Sequence, residues 1–124
     1  MTHAIAIAAG GALGALMRYW MSTWVYARLG SDFPYGTLTV NVLGSLVMGV
    51  LYVLLVERMD LDPIWRAALM VGVLGAFTTF SAFSIETLNL IENREHIRAL
   101  LNILLSVVLC IVAAWAGVIA GRSI

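Results

Sequence analysis

Apolar residues run along this chain in four long blocks, and most of its charged residues fall between them. The first block, Ile5 to Met17, passes through Arg18 into Tyr19, Trp20, Trp24 and Tyr26, the kind of amphipathic aromatics that collect at a membrane–water interface. It predicts a helix over about residues 4–27. Gly30-Ser-Asp-Phe-Pro-Tyr-Gly36 is punctuated as a turn. The next run, Thr37 to Val56, is about 20 residues, enough for a helix over 37–56 to cross the hydrocarbon once. Glu57, Arg58, Asp60 and Asp62 form a short polar loop, and Asp62-Pro63 reads as an N-cap followed by proline at the first helical position. A third helix over 63–91 starts there. Its centre, Gly72 to Ser84, mixes glycine, paired threonines and serines with Phe77, Phe80 and Phe83, a composition that predicts a break in the helix. Glu92 to Arg98 is the third loop, and a fourth helix over 99–120 closes at Gly121 and Arg122.

Composition identifies the solvent. Apolar residues make up 62% of 124 positions and charged residues only 11%, so the chain lacks the charged shell of a water-soluble domain. The expected fold is an all-α integral membrane domain of four helices over residues 1–124, embedded in the lipid bilayer with both termini on one side. The first block lacks the basic stretch that precedes a cleaved signal segment, so it is expected to stay in place. Cys110 stands alone in mid-span, which excludes a disulfide framework and metal-ligand spacing. No phosphate loop or basic patch points to a nucleotide or nucleic-acid partner. No nucleophile, base and orienting group are grouped, and His3 and His96 sit at the membrane edges, so the chain does not read as an enzyme.

Arginine placement bears on orientation. Arg58, Arg66 and Arg122 fall on the terminus side, Arg28, Arg94 and Arg98 on the other, and Arg18 lies inside the first span. A balanced count leaves orientation unbiased, which predicts dual insertion and pairing of two opposed copies. Four helices are also too few to enclose a selective aqueous path, so a path is expected to use the interface between copies.

Within the spans, Gly10, Gly14 and Arg18 share one helix face. The glycines suit close packing, while Arg18 either snorkels to the interface or faces a wet cavity. Asn41, Ser45 and Gly49 repeat that spacing on the second helix, where the Asn41 amide serves either as interhelical glue or as a donor to an anion. Asn102, Ser106, Cys110, Ala113 and Gly117 make a small-to-polar stripe on the fourth, a packing face or a path lining. Thr78, Thr79, Ser81 and Ser84 put four hydroxyls in mid-span. Carbonyls freed by a break there must be buried in protein, hydrated, or bound to a cation such as sodium.

Gly14-Ala-Leu-Met-Arg18, Gly36-Thr-Leu-Thr-Val-Asn41-Val-Leu-Gly44-Ser45 and Gly72-Val-Leu-Gly75-Ala-Phe-Thr78-Thr79-Phe80-Ser81-Ala82-Phe83 together resemble the Fluc family of bacterial fluoride channels. The resemblance covers essentially the whole chain. It implies an antiparallel, dual-topology homodimer in the bacterial inner membrane with a broken third helix. Two separate pores would pass fluoride by Asn41, Phe80 and Phe83, with Ser81 and Ser106 continuing the donors and Arg18 at a vestibule. It also implies a structural sodium ion at the dimer interface, held by backbone carbonyls of Gly75 and Thr78. Aromatic ring edges are electropositive and, with amide and hydroxyl donors, replace water around a small hard anion. One departure is Ala82, where the family pattern carries threonine.

The rival is a small multidrug-type proton-coupled antiporter, also a four-helix dual-topology dimer. It needs a membrane-embedded carboxylate in its first helix, and residues 4–17 have none. Glu86 is the acid inside a span, late in the third helix and near an interface.

Overall fold

The computed structural model describes residues 1–58 and 61–124; Asp60 of the polar loop lies outside them. Four segments are long and apolar enough to cross a membrane, Thr2–Leu29, Tyr35–Arg58, Pro63–Glu92 and His96–Ser123. The first two are α1 and α2. The third comprises α3 (residues 63–77) and α4 (Phe80–Glu92), between which Thr78 and Thr79 have extended backbone, with ψ of 157° and 119°. The fourth is α5 (His96–Ser123).

Helix ends follow local chemistry. The Asp62 carboxylate accepts the Ile64 amide at 3.0 Å with Pro63 at the first helical position, so α3 starts where an N-cap and a proline are adjacent. α5 starts at His96 rather than near Ala99. Arg94 takes a left-handed conformation (φ 60°) and the Glu95 amide returns to the Leu90 carbonyl, so the reversal after α4 is complete by residue 95. α1 likewise runs two residues beyond each end of 4–27. Tyr52–Arg58 of α2 and Ala67–Leu74 of α3 are wound as π-helix, a widening that no residue pattern announces.

Packing is organised as two helix pairs, α1 on α3 and α2 on α5. Both rest on glycine. A methyl group at Gly10 or Gly14 would run into the backbone of Ala68 or Val73, and one at Gly49 or Gly117 into the facing helix backbone at Ala114 or Leu46. Such contacts let backbones approach in a solvent that gives no hydrophobic drive between helices. Val40, Leu74 and Phe77 form the buried centre where α2 meets α3, with Met21, Leu43, Met48 and Leu51 around them. Outward, Leu13, Trp20, Trp24, Val71 and Trp115 are exposed, as lipid-facing positions are. At the terminus side Arg122 pairs with Glu57 at 2.9 Å and Arg58 donates to the Arg122 carbonyl, tying the end of α2 to the end of α5.

Candidate functional site at the interruption of the third span

Two extended residues in mid-span expose backbone groups that lipid cannot satisfy. Asn41, on α2, meets this need directly. Its amide oxygen accepts the Thr79 N–H at 2.7 Å and its amide nitrogen donates to the Thr79 carbonyl at 3.0 Å. One side chain thus holds both faces of a single peptide residue, and one Asn41 N–H remains unspent on this clasp. The Thr79 hydroxyl accepts the Ala82 amide at 3.1 Å and so caps α4, while Ser81 Oγ lies 3.2 Å from it. Thr78 turns its hydroxyl back to the Leu74 carbonyl and rests its methyl on Gly44, where a side chain would collide.

Beside this clasp lies an open-sided cavity of about 450 Å³ between α2, the Thr78–Thr79 segment, α4 and α5. Asn41, Ser45, Thr78, Thr79, Phe80, Phe83, Ser106 and Cys110 contribute to its wall. The Phe80 and Phe83 rings are 5.2 Å apart and tilted by 43°, and Phe80 is 76% exposed. Behind Phe83 runs a buried chain of hydrogen bonds. Ser106 donates to the Asn102 amide oxygen (3.4 Å), Asn102 to the Thr87 hydroxyl (2.8 Å) and Thr87 to the Phe83 carbonyl (2.7 Å).

The structure therefore brings Asn41, Phe80, Phe83, Ser106 and Thr78 to one cavity and leaves three candidates off its wall. Ser81 is exposed beside Thr79, Gly75 is exposed on the last turn of α3, and Arg18 is half-buried on α1. Of the two roles open to Asn41, its amide oxygen and one N–H are spent on joining α2 to Thr79. Residue patterns missed Thr79 as the centre of the clasp, although its place in the hydroxyl cluster was a signal.

They also missed a second polar group. Glu86 of α4 accepts the Tyr26 hydroxyl at 2.7 Å on one oxygen and the Thr37 hydroxyl at 2.6 Å on the other. These three side chains come from α1, α2 and α4. Glu86 and Tyr26 line a further cavity of about 390 Å³, with Asp32, Asn89, Asn93, Glu95 and Arg98 nearer the loops. Thr37 is one turn from Asn41 on α2, the one sign of it in the residue order.

Comparison with known proteins gives the family of the chain. A family model described as CrcB-like protein, Camphor Resistance (CrcB), matches residues 5–118. The chain belongs to the CrcB family. A Magnetococcus marinus relative is 52% identical over 118 residues, covering 95% of this chain and 96% of that one. One from Coxiella burnetii is 49% identical over 116 residues, covering 93% and 94%. A Methylococcus capsulatus relative is 55% identical over 117 residues, or 94% of this chain, which spans about half (51%) of that longer protein. Each of these CrcB relatives is named a fluoride-specific ion channel, FluC. Membership in the CrcB family, with relatives named as channels, sets aside the multidrug-antiporter alternative.

Proposed function

We propose that this protein is a fluoride-selective channel that exports the ion passively across a bacterial inner membrane, with two pores in a homodimer of antiparallel copies. The observation that carries the reading is the cavity beside the Asn41–Thr79 clasp, in which two tilted phenyl rings stand among amide and hydroxyl groups. Fluoride is small and strongly hydrated, so its water must be replaced by several convergent donors. Ring edges supply positive electrostatic potential without titratable chemistry. With the Ala82 amide capped by Thr79, the Phe80 and Ser81 amides are the first-turn donors without an intrahelical acceptor, at the positive end of a 13-residue helix. The second Asn41 N–H and the exposed Ser81 hydroxyl extend the donor set, the Ser106 hydroxyl being donated to Asn102, and Arg18 would draw anions to a vestibule.

The single copy is incomplete as a channel. Phe80 projects from the protomer and the cavity is open at the side, so a second copy is the element that would close it. The arginine balance supports antiparallel pairing, which would give two equivalent pores.

A structural sodium ion fits the interruption. The Thr79 amide, the usual partner of the Gly75 carbonyl in a continuous helix, goes instead to Asn41, and Thr78 stands outside both helices. Carbonyls of Gly75 and Thr78 from both copies are the oxygens that would hold the ion. When bound, it supplies a fixed positive charge and cross-links the two interruptions.

Ion-selective flux from liposomes tests the function. Fluoride is expected to leave fast and chloride to stay, because the larger ion prevents all donors from closing on it. Equal loss of both anions from vesicles holding well-folded protein would overturn the reading. Cysteines placed singly in the loops test the assembly, with labelling from both sides of native membranes expected and labelling from one side ruling out dual topology.

A further inference from the structure

Glu86 is a poor neighbour for an anion route. It lies one turn beyond Phe83 on α4, so the face that carries Phe83 in the first cavity carries a carboxylate at the second. Among the described residues the ion pairs are Arg98–Glu95 and Arg122–Glu57, and neither involves Glu86. Arg98, which shares its cavity, is already engaged by the Glu95 carboxylate and the Asp32 carbonyl. What holds Glu86 is two hydroxyls.

We infer that Tyr26 is a positioning residue for conduction: with Thr37 it draws the Glu86 carboxylate against α1 and α2 and keeps its charge off the anion route along α4. This rests on the fluoride-channel reading and deepens it. The hydroxyl of Tyr26 donates to one carboxylate oxygen at 2.7 Å, and the Thr37 hydroxyl takes the other at 2.6 Å. Hydrogen bonds to an ionised acceptor are the strong kind. The placement is built rather than incidental. The Tyr26 ring lies across Gly36, where any side chain would collide with it, and the Thr37 amide and hydroxyl lie 3.5 and 3.4 Å from the same phenolic oxygen. Gly36 thus opens the space that lets an α1 aromatic reach an α4 acid. Without the phenol, one carboxylate oxygen loses its donor, and the side chain is freed to turn along α4 toward Phe83 and the first cavity. There it would repel fluoride.

The test keeps the ring and removes the oxygen. Tyr26→Phe preserves packing on Gly36, and in fluoride-loaded liposomes it is expected to lower flux on the order of tenfold at sub-saturating fluoride, with the half-saturating concentration raised. Glu86→Gln is expected to conduct, and Tyr26→Phe added to it should change nothing further. Dependence on residue 86 is the readout that a packing role would not produce. Normal flux in Tyr26→Phe overturns the inference, as does an equal loss with and without Glu86→Gln. Failure of Glu86→Gln alone to conduct overturns it too, since the carboxylate would then be required in the route. Wild type measured in the same vesicles separates the two layers. If it fails to prefer fluoride over chloride, the channel reading fails and this inference with it; if it conducts and only the Tyr26→Phe result is wrong, the inference alone falls.

Discussion

The seam between α2 and α5 and the cavity beside the clasp both draw on small residues, and they use them in opposite ways. At the seam, Gly49 and Gly117 put two helix backbones in direct contact, with no space for a methyl group on either. In the cavity, Asn41, Ser45 and Ser106 border about 450 Å³ of open volume, and the polar atoms nearest the interruption are already bonded to one another. Small residues in a membrane therefore have two meanings. Glycine facing backbone is a spacer whose function is to be absent; the Asn41 amide beside the gap satisfies the backbone of the extended Thr79.

That contrast is sharpest under substitution. Gly117→Leu should be the most damaging single change, because its side chain would have to displace α2 at Leu46, Gly49 and Val50. Overpacking of this kind costs about 3 kcal/mol or more, enough to remove most folded protein. Yield of monodisperse detergent-solubilised protein and its thermal midpoint report the effect. A normally folded variant would show that the seam can open, and the spacer interpretation would be wrong.

The spans and the polar residues of the cavity were legible in the residue order, and the contacts between helices were not, for physical reasons. Apolar runs set the four spans, and Asp62-Pro63 marked the start of α3 because capping is a local interaction. The hydroxyl cluster over 72–84 encloses the extended pair Thr78 and Thr79, since glycine, threonine and serine act on the backbone within a few residues. The clasp is different. Asn41 and Thr79 are 38 positions apart, Tyr26 and Glu86 are 60 apart, and nothing local says which amide meets which break. Asn41 could be recognised as a polar residue in need of partners, but its commitment to Thr79 depends on how α2 crosses the interruption. The π-wound stretches of α2 and α3 are equally silent, because their residues are ordinary apolar ones.

Phe80→Ile probes the cavity side of the comparison and should have the next largest effect. The ring is mostly exposed on the protomer, so its loss leaves little core unfilled. Isoleucine keeps bulk and apolarity but removes the electropositive edge. Severe loss of fluoride flux with an unchanged oligomeric state is expected, measured by an ion-selective electrode and by size-exclusion chromatography. Near-normal flux would make Phe80 a packing residue.

Asn41→Asp should act on both sides of the comparison at once. The substituted oxygen would face the Thr79 carbonyl, acceptor against acceptor, where the amide now donates at 3.0 Å. An unsatisfied buried pair of this kind costs about 1–3 kcal/mol. A lower thermal midpoint together with reduced flux is expected. Loss of flux with unchanged stability would mean that the amide serves the ion alone and that the clasp contributes little to the fold.

The mildest change is Ala82→Thr, which adds a hydroxyl at the start of α4. Ala82 is half-buried, and its amide is already held by the Thr79 hydroxyl, so the local cap does not depend on the new side chain. Threonine ranks below alanine in helix propensity by at most about 0.7 kcal/mol, and the first turn of a helix tolerates it better than the middle. Stability should therefore move by only about 0.5 kcal/mol. The gain, if the route passes here, is one more donor next to Ser81, where the hydroxyls of Ser81 and Thr79 are 3.2 Å apart. An anion that has shed water at this point would trade an apolar methyl for a hydroxyl, and flux should rise by roughly threefold, an increment smaller than one full hydrogen bond. Comparing Ala82→Thr with Ala82→Val separates the two contributions, since valine matches threonine in shape without the oxygen. Faster flux with threonine and not with valine places the route along the first turn of α4; equal flux in both moves it away from residue 82 and toward the Phe83–Ser106 side of the cavity.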